Sequence, residues 1–243
     1  MKSSSTFVAS KYLSLVLLII SLNSCEVNKS GETPDYTGQT DAITDIDGNQ
    51  YKTIGIGSQI WMQENLAVTH LADGARITLL ENYSDWRNKN LNTAAYCWYD
   101  NDSANNKSIY GGLYNFYAVK TGLLCPTGWH VPSQNDWSTL VDFLGGKDIG
   151  GGKLIDFESK YWIDPIHYVA NNLKFLALPG GYRRPESGEF MGKGLSAWWW
   201  ANRTSMEDDS KALTISVSKD EISLSQNYIY KNGGASIRCI KDE

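Results

Sequence analysis

The first clear pattern along the chain is a basic start followed by a mostly apolar run. Lys2 and Lys11 precede residues 12–22, which read YLSLVLLIISL. This run is much shorter than the roughly 20 residues that a membrane-spanning helix needs. The pattern therefore predicts a signal peptide over residues 1–24, which is excluded from the reasoning about the fold.

A cysteine stands at the position where cleavage is due. Leu22-Asn23-Ser24-Cys25 is similar to a lipobox, the motif at which signal peptidase II cuts before a lipid-modified cysteine. This interpretation predicts an exported lipoprotein whose membrane contact is a lipid anchor on Cys25. The alternative is an ordinary signal peptide with Cys25 merely nearby.

Polarity then separates a tether from a folded domain. Residues 25–41 contain Gly and Pro and almost nothing to bury, so we expect a flexible tether there. Residues 42–243 have a length that suits one domain with a full core. Residues 1–24 carry two lysines and no acid, so their removal lowers the net charge from −5 to −7. An acidic surface argues against nucleic acid as a partner.

Short segments rich in β-branched and aromatic residues predict strands. Residues 43–46 and 51–56 flank Asp47-Gly48-Asn49, and the Asp-Gly pair supplies the positive φ of a tight hairpin turn. Further strands are predicted over residues 59–62, 175–178, 197–201, 212–217, 221–225 and 236–240.

Helical spacing is rarer than strand patterning. The strongest case is residues 133–144, where Ser133 and Asp136 resemble a capping box and Gly145-Gly146 follows as a stop. One apolar face of this segment carries Trp137, Leu140, Val141 and Leu144. Residues 112–120 form a second predicted helix, with Gly122 as its stop.

Three cysteines remain after Cys25, namely Cys97, Cys125 and Cys239. Export places them in an oxidising compartment, so one disulfide and one remaining thiol are expected. Their spacing does not choose the pair. None lies in a C-x-x-C or metal-type cluster, which argues against zinc.

Seven sequence blocks follow one another along the chain: YKTI at 51–54, IGSQIWMQENL at 56–66, YDND at 99–102, YGGLY at 110–114, CPTGWHVPS at 125–133, LPGGYR at 178–183 and SIRCIKD at 236–242. In this order they resemble the Fibrobacter succinogenes major paralogous domain, a family found in lipoproteins of Bacteroidota and Fibrobacterota. The similarity extends from about Asp45 to Asp242.

The resemblance implies an α+β, C-type-lectin-like fold, related to the formylglycine-generating enzymes. Such a fold has a short twisted antiparallel sheet, two helices and long ordered loops. The resemblance also implies that Cys125 and Cys239 are disulfide partners. Cys97 is then expected to be a free, buried thiol.

Catalytic groups are sparse. The three histidines are His70, His130 and His167, and His130 lies inside one of the blocks without a nearby Ser or Cys nucleophile pattern. We interpret it as a structural histidine that donates to the backbone. Formylglycine-generating enzymes use a cysteine pair as a copper site. Beyond the implied disulfide only Cys97 remains in the domain, so we expect no enzyme and no cofactor of that kind.

Asp100, Asn101 and Asp102 form an oxygen-rich string of the kind that suits a structural calcium ion. The competing interpretation is that Asx turns use the same side chains to satisfy loop backbone, and this interpretation is favoured because Asp- and Asn-rich loops are common without metal.

Aromatic and basic residues late in the chain suggest a ligand-binding surface: Trp162, Tyr182, Arg183, Trp199 and Trp200. Successive residues of a strand face opposite sides, so at least one residue of Trp198-Trp199-Trp200 should be buried. Burial of most of these tryptophans is the favoured outcome.

These observations predict a cell-envelope lipoprotein of the outer membrane, at the cell surface or on its inner face, with a non-enzymatic domain that binds a glycan or an envelope protein. The alternatives are a structural component of a surface complex or fimbria-like assembly and, less favoured, an enzyme of the formylglycine-generating type.

Overall fold

The computed structural model describes residues 33–88, 90–156, 158–164 and 173–243. The predicted signal peptide, Cys25, residues 26–32 of the predicted tether and His167 lie outside the described residues. Residues 34–243 form one compact unit. Within the described part of the chain, no helix has the length and apolar character required to cross a bilayer.

The fold combines thirteen described strands with a few short helices. The strands are β1 (Thr40–Thr44), β2 (Gln50–Ile56), β3 (Gln59–Met62), β4 (Thr78–Leu79), β5 (Ala95–Cys97), β6 (Leu113–Tyr114), β7 (Trp129–His130), β8 (Gly180–Arg183), β9 (Phe190–Lys193), β10 (Ser196–Thr204), β11 (Lys211–Ser218), β12 (Glu221–Tyr230) and β13 (Ile240–Lys241). The helices are α1 (Tyr83–Trp86), α2 (Ser103–Tyr110), α3 (Phe116–Val119), α4 (Gln134–Phe143) and α5 (Lys147–Leu154), and a 3-10 turn covers Tyr99–Asn101.

The strands form three sheets. Together with the helices, they confirm the mixed α and β composition that was predicted from the sequence. The first sheet has the order β1-β2-β3-β13-β7 and the second has the order β12-β11-β10-β8-β9. A small third sheet has the order β4-β5-β6. Strand β13 pairs with β3, so the last strand of the chain lies in the same sheet as the first strands.

The predicted first hairpin is confirmed. Strands β1 and β2 pair antiparallel, and Gly48 takes a φ of +83° in the turn between them. The buried carboxylate of Asp45 accepts hydrogen bonds from the backbone amides of Asp47 and Asn49, which fixes the turn. Ordered structure begins before the predicted start at Ala42, because the amide of Tyr36 donates to the carbonyl of Gly57 at 2.7 Å.

Of the two predicted helices, one is confirmed and the other is only partly helical. Helix α4 is confirmed, and Ser133 and Asp136 form the capping box expected from the sequence. The predicted helix over residues 112–120 is only partly present. Leu113 and Tyr114 belong to strand β6, and α3 has four residues. Asn115 lies between the last residue of β6 and the first residue of α3, and its side chain caps α3 by accepting from the amide of Ala118.

Helix α5 was not predicted from the sequence. Only residues 112–120 and 133–144 were expected to be helical, so the helix at Lys147–Leu154 corrects that expectation. Its sequence KDIGGGKL contains three consecutive glycines, which disfavour a helix in isolation. A Cβ atom on Gly151 would lie 2.7 Å from the carbonyl oxygens of both Ile222 and Ser223. The glycines therefore let α5 pack directly against the backbone of β12, and tertiary contact overrides the low propensity.

The later strand predictions are confirmed for β10, β11 and β12. The strand predicted over residues 175–178 is wrong, because this segment forms only an isolated bridge, between Ala177 and Ile155. Residues 236–240 are a second correction. Ser236 makes one parallel bridge to Trp199, and regular strand structure begins only at Ile240.

Two large aromatic cores hold the sheets together. One core lies between the first sheet, α3 and one face of the second sheet, and it contains Trp200 and Phe116. The other packs Trp61, Trp137, Phe175 and Trp199 between the helices and the opposite face of the second sheet. The Cys125–Cys239 disulfide is present, with Cα atoms 6.0 Å apart.

Candidate ligand-binding surface

Three of the predicted binding residues are core aromatics. Trp199 and Trp200 have no exposed surface, and Trp162 is 5 % exposed. Their indole nitrogens donate to protein acceptors, namely Asn65 Oδ1 from Trp199 and backbone carbonyls from Trp200 and Trp162. Burial of most of the tryptophans, the favoured outcome of the sequence analysis, is therefore confirmed, and these three rings are not presented to a ligand.

Arg183 is also buried, and its role is to join loops. Its guanidinium donates to the carbonyl oxygens of Gly188, Leu80 and Glu81 at 2.7, 3.0 and 2.8 Å. The Cζ atom lies 4.5 Å from the ring centre of Phe190 and 4.8 Å from that of Trp86. The hydrogen bonds satisfy the buried cation, and the aromatic faces add cation–π attraction.

The remaining predicted residue, Tyr182, lies on an accessible face together with Trp198. Both side chains are half-buried, and their ring centroids are 4.4 Å apart with planes inclined by 31°. Trp198 Nε1 donates to Ser196 Oγ at 3.0 Å. The guanidinium of Arg184 donates to the hydroxyl of Tyr182, and this contact raises the pKa of Arg184. Each ring is therefore tied to a neighbouring side chain by one hydrogen bond.

Strand register places this pair inside a row that crosses the second sheet. Tyr182 pairs with Met191 of β9, Trp198 pairs with Ser216 of β11, and Ser216 pairs with Ser225 of β12. Met191 is exposed and Ser225 is half-buried. We call these five side chains the aromatic row. Its two small hydroxyl side chains, Ser216 and Ser225, lie on the side of Trp198 that is away from Tyr182.

Three members of the aromatic row were not predicted from the sequence. Met191, Ser216 and Ser225 come from strands far apart in the chain, and only the pairing of β8 through β12 brings them together. Alternation along β10 predicted that Trp198 and Trp199 face opposite sides. It could not decide which side is open, because that depends on which sheet face the helices cover.

His130 is a further correction. It was expected to donate to the backbone, but its Nδ1 lies 2.6 Å from Asp242 Oδ1 and its Nε2 lies 3.3 Å from Asp136 Oδ2. The hydroxyl of Ser133 donates to Asp136, the carboxylate that also faces His130 Nε2. Among the described residues, no serine or cysteine of this cluster makes the hydrogen bond to His130 that joins a nucleophile to its base.

The oxygen-rich string at 100–102 is largely engaged in local structure. The Asp102 side chain caps α2 by accepting from the amide of Asn105 at 3.1 Å. Asn101 Nδ2 donates to the carbonyl of Glu81 at 3.0 Å. Hydrogen bonds from the Asn105 side chain and backbone lower the pKa of Asp102. No group of three or more His, Cys, Asp and Glu side chains suited to a metal occurs among the described residues.

Cys97 is the one free cysteine of the described residues, and it is fully buried. Burial raises the pKa of its thiol to about 12, although Arg183 nearby lowers it. A thiol of this kind is a poor nucleophile at neutral pH because the thiolate form is scarce.

No curated protein and no solved structure matches this chain. The model of the family described as the Fibrobacter succinogenes major domain matches residues 54–241. The match covers most of the chain and includes β3, the disulfide, the second sheet and all of β13. This chain therefore belongs to the Fibrobacter succinogenes major domain family.

Proposed function

We propose that this protein is a lipid-anchored module of the cell envelope that binds glycan through the aromatic row, without catalysing a reaction. The observation that carries this proposal is the fixed, half-exposed pair of Tyr182 and Trp198. Aromatic faces bind the apolar side of sugar rings, and a pre-ordered pair loses little entropy on binding.

The neighbouring polar groups suit hydroxylated ligands. Ser225 and Asn227 lie beyond Trp198 on β12, and Arg184 lies beside Tyr182. Hydroxyl, amide and guanidinium groups offer both donors and acceptors to sugar hydroxyls. A protein partner would more often require a larger apolar area with a central anchor.

The finer fold assignment belongs to the same proposal. We propose a C-type-lectin-like topology, which the pairing of β3 with β13 supports because it brings early and late strands into one sheet. The lipid anchor on Cys25, cleavage after residue 24, attachment to the outer membrane and the tether over the first part of the mature chain are proposals from the sequence pattern alone. A Cys25→Ala chain that still partitioned with membranes would refute the anchor.

The glycan proposal is tested with the full chain on a glycan array, followed by calorimetry with each saccharide that binds. Trp198→Ala removes a ring at the centre of the row, so the expected loss is on the order of thirtyfold in Kd. Tyr228→Ala is the matched control, because Tyr228 is an exposed aromatic residue of the same sheet on the opposite face.

Equal affinities for the wild type, Trp198→Ala and Tyr228→Ala would exclude the aromatic row as the site. Absence of glycan binding, together with capture of an envelope protein that Trp198→Ala abolishes, would replace the glycan with a protein ligand.

A further inference from the structure

A concave surface lies on the first sheet, whereas the aromatic row lies on the second sheet. It is a hollow of about 360 Å³ that all five strands of this sheet line. We call it the first-sheet hollow. Its lining includes the side chains of Asp41, Ile43, Thr53, Ile60, Trp129 and Lys241.

Register explains why these residues share one face. Asp41 pairs with Thr53, and Lys241 pairs with Trp129, so each pair lies on the same side of the sheet. Ile43 follows Asp41 by two residues and therefore points the same way. The curl of the sheet turns this face into a hollow instead of a flat surface.

Trp129 is the aromatic residue of the hollow, and its indole N–H has no protein acceptor among the residues that the structure describes. Its ring is half-buried and packs partly against the core beneath the first sheet. Six other tryptophans donate their indole N–H to a protein acceptor: Trp61, Trp86, Trp162, Trp198, Trp199 and Trp200. No acceptor of the described residues bonds Trp129 Nε1, which leaves a donor available at the open face.

Two opposite charges also face the hollow without an ion-pair partner. Asp41 and Lys241 are exposed, and neither forms a salt bridge within the part of the chain that the structure describes. Asp41 Oδ1 accepts only from the amide of its neighbour Ala42. The hollow thus offers an ammonium donor, a carboxylate acceptor and a free indole N–H around an apolar floor of Ile43 and Ile60.

We propose that the first-sheet hollow binds a single pyranose ring of a neutral saccharide. The apolar face of the ring would lie on Trp129 and Ile60, and its hydroxyls would bond Asp41 and Lys241. A small number of convergent polar groups around an aromatic and aliphatic floor is the usual composition of such a site. This site is independent of the aromatic row, because the two lie on different sheets.

The test is a titration of the full, ¹⁵N-labelled chain with four trisaccharides: maltotriose, cellotriose, mannotriose and triacetylchitotriose. The indole region of the spectrum contains one signal for each of the nine tryptophans. Loss of a signal in Trp129→Phe assigns Trp129, and loss in Trp198→Phe assigns Trp198. Saturable movement of the Trp129 signal at millimolar saccharide is the expected result, whatever the Trp198 signal does.

Two surface variants connect the movement to the hollow. Asp41→Asn and Lys241→Ala should each weaken binding about tenfold, since each removes a charge-assisted hydrogen bond. Lys52→Ala is the matched control, because Lys52 is exposed on the same sheet and points to the opposite face. All three positions are exposed, so the variants are expected to fold.

A Trp129 signal that no trisaccharide moves overturns this proposal, as does equal weakening by Asp41→Asn and Lys52→Ala. Movement of the Trp198 signal alone would support the aromatic row and reject the hollow. Movement of the Trp129 signal alone would support the first-sheet hollow and reject the aromatic row. The experiment can therefore reject either proposal without rejecting the other.

Discussion

Asn65 Oδ1 accepts two hydrogen bonds from Arg238, from Nε at 3.1 Å and from Nη2 at 2.8 Å. The same oxygen accepts from Trp199 Nε1 at 2.9 Å. Burial lowers the pKa of Arg238 to about 9, and no carboxylate of the described residues pairs with it at salt-bridge distance. One neutral amide thus supports a buried cation and joins the start of the domain to its last strands.

Replacement of Asn65 by Ala should strongly destabilise the domain. It removes the one oxygen that accepts two hydrogen bonds from a buried guanidinium and leaves the charge poorly satisfied, which costs about 3–5 kcal/mol. Urea unfolding followed by tryptophan fluorescence measures the change. Asn202→Ala is the control, since Asn202 is exposed and should cost less than about 0.5 kcal/mol. Equal midpoints for the two variants would contradict the role of Asn65.

Loss of the disulfide should also be costly. Cys125 and Cys239 are 114 residues apart, so their bond closes a long loop. In the chain-entropy model such a loop contributes about 4–5 kcal/mol. The double variant Cys125→Ser/Cys239→Ser should unfold at much lower denaturant, and dithiothreitol should shift the wild type by a similar amount. A wild type that is insensitive to reductant would contradict this prediction.

Gly151 and its neighbour Gly150 should respond differently to alanine. A Cβ at 151 meets backbone carbonyls at 2.7 Å, whereas a Cβ at 150 meets the side-chain tip of Leu224 at 3.2 Å. Gly151→Ala should therefore cost about 1–3 kcal/mol through overpacking. Gly150→Ala should stay within about 1 kcal/mol, because the gain in helix propensity offsets a small adjustment. Thermal unfolding of both variants compares them, and a reversed order would refute the close approach of α5 to β12.

Cys97 should be unreactive in the folded protein. Its thiol is fully buried and burial raises its pKa to about 12, so little thiolate forms at neutral pH. A disulfide-exchange reagent such as DTNB should label it only after unfolding in guanidinium. Rapid labelling of the native chain, absent in Cys97→Ser, would show that the thiol is accessible.

Calcium should leave the stability of the domain unchanged. Asp102 caps α2, and Asn101 Nδ2 donates to the carbonyl of Glu81, which holds the Asn101 side chain in the loop. Asn101 Oδ1 is buried without a hydrogen-bond partner among the described residues, but one such oxygen beside a capping carboxylate is too few ligands for calcium. Addition of calcium to the metal-free chain should not shift the melting temperature. A rise that Asp100→Asn or Asp102→Asn abolishes would establish the calcium site instead.

Local signals predicted local structure well. The Asp47-Gly48 turn and the capping box of Ser133 and Asp136 depend on interactions within a few residues, and both are present. The same reasoning failed for α5, because three glycines form a helix there only through contact with β12. It also failed for His130, whose partner Asp242 is 112 residues away.

The sequence by itself determined the first hairpin and α4, since both follow from periodicity and turn chemistry within a short window, and its resemblance to the family implied the mixed α and β fold class. Only the tertiary structure decided which aromatic rings are accessible. Trp199 and Trp200 are covered by the two cores, whereas Trp198 and Trp129 pack only partly against one core and keep part of their surface exposed. Accessibility depends on what packs against each sheet face, and that is set by strand pairings between distant segments.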